Sequence, residues 1–157
     1  MKGLLFTVQK ALPLLVDGGS IILNASAAAS TGSPTFSVYS ATKAAVRSFA
    51  RSWTPDLKHR HMRVNAFSPG ATETAGWHGL ARTEAHAQEL NALVSTIPLG
   101  RMAAADEMAQ VAVFLASDYS SDVTGVERFV DGGMAQIEPL CPERVWPGLG
   151  LTASSLC

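Results

Sequence analysis

The fold turns on residues 20–70, SIILNASAAASTGSPTFSVYSATKAAVRSFARSWTPDLKHRHMRVNAFSPG. Residues 20–23 form a short β-branched and apolar run, which predicts a strand buried on both faces; residues 24–34 are small, polar and turn-rich. Over residues 37–57, Val38, Ala41, Ala45, Phe49 and Trp53 recur every three or four positions, which predicts a long helix whose alanines allow close packing. Pro55 should disturb its last turns. Residues 63–67 predict a second strand, broken at Ser68-Pro69-Gly70. Two strands joined through a helix imply a crossover and therefore a parallel pair.

The flanks extend this order. Upstream, Leu4, Leu5, Val8, Leu12 and Leu15 keep helical spacing over residues 2–15, and Asp17-Gly18-Gly19 supplies a stop. Downstream, residues 71–98 have the pattern of a long functional loop with a small helix at 84–94. Residues 106–117 predict a helix with Met108, Val111, Ala112 and Leu115 on one face, and Asp106 and Glu107 at its positive end. A third strand is predicted at 128–130, before Asp131-Gly132-Gly133. The fold class is α/β, a parallel sheet flanked by helices. Residues 1–137 form one domain without internal repeats, and residues 138–157 read as an irregular tail.

The composition suits a globular core: 157 residues, 47% hydrophobic and 16% charged. A domain near this size buries roughly 68–70% of its unfolded surface and needs no disulfide or metal. Twelve Lys and Arg against thirteen Asp and Glu leave a net charge of -1, which argues against nucleic acid or an anionic membrane as partner. The apolar run after Lys2 faintly resembles a secretory leader, but Gln9 and Lys10 cut it short, and no stretch approaches a membrane span. Cys141 and Cys157 have no metal-ligand spacing and suit a reducing compartment. The expected location is cytoplasmic.

Tyr39 and Lys43, four apart, leave one helix face about a turn from each other. An ammonium beside a phenol favours phenolate, and such a tyrosine can exchange a proton with a carbonyl or alcohol. The same spacing also occurs on ordinary solvated helix faces. Ser26 lies just beyond the first strand, and Pro69-Gly70 ends the second, so both fall on the carboxyl edge where open α/β sheets bind ligands. His59, His61, His78 and His86 lack cysteine partners and His-Glu-x-x-His spacing, which makes them surface or loop histidines and leaves no metal site. Gly-x-Ser-x-Gly and a phosphate-binding loop are also absent.

Taken together and in order, six motifs resemble the short-chain dehydrogenase/reductase family. They are Asn24-Ala25-Ser26, Tyr39-Ser40-Ala41-Thr42-Lys43, Arg63-Val64-Asn65, Pro69-Gly70 with Thr74, Pro98-Leu99-Gly100-Arg101, and Val130-Asp131-Gly132-Gly133. The resemblance covers about residues 1–137. It implies a partial Rossmann-like, doubly wound sheet with the N-terminal strands missing. It implies NAD or NADP as cofactor, a small alcohol or ketone as substrate, and a homo-oligomer, dimer or tetramer. Tyr39 would be the general acid and base, Lys43 would favour its phenolate and bond the nicotinamide ribose, and Ser26 would hold the substrate oxygen. Pro69, Gly70, Thr72 and Thr74 would fix the nicotinamide carboxamide, the alternative being a plain strand-ending turn; Trp77, His78, Leu80 and Leu93 sit in the segment that resembles the family's substrate lid, the alternative being a packed loop.

The departures are as informative. No Gly-x-x-x-Gly-x-Gly turn and no Asn-Asn-Ala-Gly segment is present. The family's fourth catalytic residue, an asparagine, would fall ahead of Met1, and the tail has no counterpart in the family. The resemblance is therefore to the C-terminal half. The expectation is an oxidoreductase whose dinucleotide-binding half is absent from this chain; the alternative is a non-catalytic truncated remnant serving as an oligomerisation or interaction module. Either way, Leu4, Leu5 and Val8 are expected to face water in an isolated monomer, favouring association.

Overall fold

A computed structural model describes residues 1–32, 35–75 and 83–137, without the side chains of residues 85, 86 and 89. Trp77, His78, Leu80, the tail and both cysteines lie outside the described residues.

The apolar run at the heart of the chain forms β1, Ser20–Asn24, and the next forms β2, Arg63–Pro69. They pair in parallel, with Ile21 opposite Val64 and Leu23 opposite Ala66. β5, Glu127–Val130, adds to the other side of β2, giving the order β1-β2-β5 with every pair parallel. Helix α2, Ser37–Asp56, makes the first crossover. The second contains α3, Glu84–Ser95, and α4, Ala105–Ala116. Helix α1, Lys2–Ala11, precedes the sheet.

Alternation along the strands sends side chains to two cores. Ile21, Leu23, Val64 and Ala66 pack with Val46 and Ala50 of α2 and with Leu4 and Val8 of α1. Ile22, Phe67 and Val130 pack with Met108, Val111 and Leu115 of α4. Helices thus cover both faces, the doubly wound α/β arrangement expected from the sequence. Fully buried Asn65 is paired: it donates to the Val123 carbonyl at 2.7 Å and accepts from Val126 N–H at 3.2 Å. Ser20 and Arg63 donate to the Leu115 carbonyl at 2.7 and 3.0 Å, satisfying the end of α4.

Several boundaries differ from expectation. The first helix stops at Ala11 and tightens into a 3₁₀ turn, Leu12–Leu14, because Pro13 lacks the N–H that an α-helix requires. Strand β2 continues through Pro69, which pairs with Val130 at its last position, where the missing donor costs least. Pro55 lies inside α2, which ends only one residue later. The segment expected as a loop also carries β3, Thr72–Glu73, paired in parallel with β4, Ala103–Ala104.

Candidate active site

All three strands of the main sheet end on one edge, and the residues singled out from the sequence follow those ends. After β1, Ala25 N–H still bonds the Phe67 carbonyl at 2.8 Å, so the strand direction carries to Ser26. Ser26 then caps a 3₁₀ turn, Ala27–Ala29, its Oγ accepting from Ala28 N–H at 3.3 Å. Among the described residues the Ser26 hydroxyl donates to no acceptor.

Tyr39 stands in the first turn of α2, with Phe36 edge-on to its ring at 5.7 Å. It is 44% exposed, and its hydroxyl has no partner among the described residues. One turn on, Lys43 Nζ sits 5.8 Å from the centre of the Tyr39 ring, within reach of a cation–π contact. The same ammonium donates to the Asn24 carbonyl at 2.9 Å. The helix is thereby tied to the end of β1. An ammonium has three donors, and the Asn24 bond uses one.

The end of β2 is built around Gly70. Its N–H bonds the Val130 carbonyl at 3.0 Å, and a β-carbon there would come within 2.6 Å of Asp131 Cα. Only glycine allows this approach. Thr72 donates back to the Gly70 carbonyl at 3.3 Å, and Thr74 lies exposed just past β3. The structure thus joins Lys43 to Tyr39 and to the Ser26 strand end, and sets the segment from Pro69 to Thr74 at the end of the neighbouring strand. Leu93 is half-buried on α3. His59 and His61 are exposed, and no metal-binding cluster occurs among the described residues.

Sequence reasoning missed a cleft of 480 Å³ beside this edge. Pro98, Leu99 and Arg101 line one part of it, and Val130, Asp131 and Gly132 another. It shares Ala71 with the β2 exit but does not include Ser26, Tyr39 or Lys43. Its Arg101 forks onto Glu107 at 2.7 and 2.8 Å, and Glu107 also accepts from Ala104 N–H at 2.8 Å. The Arg101 hydrogen bond foremost, helped by the Ala104 N–H, lowers the Glu107 carboxyl to about 2. Buried Asp131 accepts from the N–H groups of Gly133 and Ala135, fixing the loop after β5. An aspartate before two glycines is the available signal for that turn.

With this geometry in place, residues 1–135 match the family described as enoyl-(acyl carrier protein) reductase. The chain belongs to the short-chain dehydrogenase/reductases. An oxidoreductase of Sarocladium schorii is 44% identical over 139 residues, covering 87% of this chain and 54% of that protein. The 3-oxoacyl-(acyl-carrier-protein) reductase of Thermotoga maritima is 38% identical over 136 residues, covering 85% and 53%. A solved angucycline C-6 ketoreductase with bound NADP superposes with a TM-score of 0.76 at 28% identity, covering 85% of this chain and 50% of that one. The chain spans about half the length of the curated relatives it matches. Its dehydrogenase/reductase relatives are oxidoreductases, and no helix among its described residues is long and apolar enough to cross a membrane.

Proposed function

We propose that this short-chain dehydrogenase/reductase sequence carries the proton-transfer half of an NAD- or NADP-dependent oxidoreductase acting on a secondary alcohol or ketone. The observation that carries the reading is the Lys43 ammonium, held between the Tyr39 ring and the Asn24 carbonyl on the carboxyl edge of the sheet. The relatives that reduce ketones, one of them with NADP bound, agree with it.

A bound nicotinamide supplies hydride to the carbonyl carbon in reduction and accepts it in alcohol oxidation. In reduction, Tyr39 gives its hydroxyl proton to the carbonyl oxygen; in the reverse direction its phenolate takes the proton from the alcohol. Lys43 stabilises that phenolate by charge, and its remaining N–H donors suit a ribose hydroxyl. Ser26 donates its hydroxyl proton to the substrate oxygen. Pro69, Gly70, Thr72 and Thr74 present backbone groups and hydroxyls suited to an amide such as the nicotinamide carboxamide. A second copy of the chain is the proposed partner, because α1 packs Leu4 and Val8 on the core but leaves Leu5 and Phe6 exposed.

Titration of the complete polypeptide with NADH and NADPH tests the reading. Saturable binding of at least one nucleotide below millimolar concentration is expected. Its absence for both would favour the non-catalytic module.

A further inference from the structure

Arg47 continues the line of Tyr39 and Lys43 along α2, one turn further on. The two basic side chains hold opposite ends of the Ser26 segment. Lys43 bonds the carbonyl of Asn24, before Ser26, and Arg47 Nη1 donates to Ser30 Oγ, after it, at 2.7 Å. The same Nη1 lies 3.1 Å from Glu127 Oε2 on β5. The other Glu127 oxygen accepts from Ser68 Oγ at 2.7 Å, and Ser68 is fully buried immediately before Pro69-Gly70.

One connected network, Ser30-Arg47-Glu127-Ser68, therefore joins the Ser26 turn, the Tyr39 helix, the end of β2 and the start of β5. Its charge-assisted bonds are roughly twice as strong as neutral ones. The Glu127 side chain is only 13% exposed. Arg47 Nε is buried without a partner among the described residues, a desolvation cost that an arginine serving solubility alone would avoid by turning outward. The Ser26 turn is a single 3₁₀ turn closed by two backbone bonds of 2.9 Å and the Ser26 Oγ cap on Ala28 N–H, with Ala27 buried; its far end, Ser30, is exposed and held through its side chain by Arg47.

We propose that Arg47, oriented by Glu127, is a positioning residue that sets the Ser26 turn in register with Tyr39. This rests on the roles given above to Ser26 and Tyr39. A misplacement of roughly 1 Å at a reacting centre can cost about 100-fold in rate, so the network has an effect large enough to measure.

The test uses Arg47→Met in the complete polypeptide, which keeps an apolar stem and removes the guanidinium. Turnover of a ketone with NADH or NADPH should fall about 10- to 100-fold in kcat with KM for the nucleotide unchanged. In a Ser26→Ala background the same substitution should cost little more, because its effect passes through Ser26. Amide exchange at residues 28–30 should accelerate while residues 64–67 stay protected. Ser30→Ala, at an exposed position, should reproduce the exchange change and decides the matter if Arg47→Met does not fold. The exchange readout needs no turnover, so it separates failure of this inference from failure of the oxidoreductase reading. Unchanged exchange at residues 28–30 in the folded variants, or an equal kcat loss with and without Ser26, overturns the proposal.

Discussion

Gly70 and Lys43 show what single residues contribute to this edge of the sheet. Placing a methyl group on Gly70 pushes it against Asp131 Cα at 2.6 Å, and backbone cannot swing aside as a flexible side chain can. Gly70→Ala should therefore destabilise the fold by about 1–3 kcal/mol, the usual range for overpacking, and denaturant unfolding checks it. A cost near zero would mean that the two strand ends are not in this close contact. The Tyr39–Lys43 pair was legible in the sequence because four residues on a helix are neighbours in space. Ser26 was legible because a buried strand ends just before it. The Asn24 carbonyl and the Arg47–Glu127 pair were not, since a backbone acceptor has no sequence signature and the ion pair spans 80 positions.

Among the elements, α2 and the three main strands followed from apolar periodicity and glycine stops. The β3–β4 pair did not, because two-residue strands have no period to detect; tertiary contact makes them, including Ala103 N–H to the Ala71 carbonyl at 3.0 Å. Helix α4 was legible through Asp106 and Glu107, and the structure adds how Glu107 works: it caps the Ala104 N–H while Arg101 clamps it. Its carboxyl falls from an ordinary 4.5 to about 2 in the folded protein. A lowered folded value means that this contribution to stability is fully present above about 4.5 and is lost as pH drops toward about 2. The stability difference between the wild type and Glu107→Gln should accordingly be constant from neutral pH down to about 4.5 and shrink below it. Thermal unfolding across that range checks the sign; a difference that grows with acidity would contradict it.

At the scale of the molecule, two half-cores on either face of a three-stranded sheet close around Val64 and Leu115, both fully buried. The same architecture leaves Leu5 and Phe6 of α1 in water, and Leu14 and Val16 just beyond it. These four large apolar side chains, left exposed within a dozen residues, are what a second copy would cover, so the chain should sediment faster than a monomer. A monodisperse monomer that unfolds cooperatively with about 5 kcal/mol or more would show that this surface needs no cover. In the function proposed above, Tyr39 moves the proton while Lys43 and its surroundings hold the nucleotide. The most direct test is steady-state turnover of a ketone by the complete polypeptide carrying Tyr39→Phe, beside nucleotide affinity in Tyr39→Phe and Lys43→Ala. Tyr39→Phe should lower kcat about 100- to 10,000-fold and leave nucleotide affinity nearly intact, whereas Lys43→Ala should weaken both. Turnover at the wild-type rate in Tyr39→Phe, or equal loss of nucleotide binding in the two variants, would contradict it.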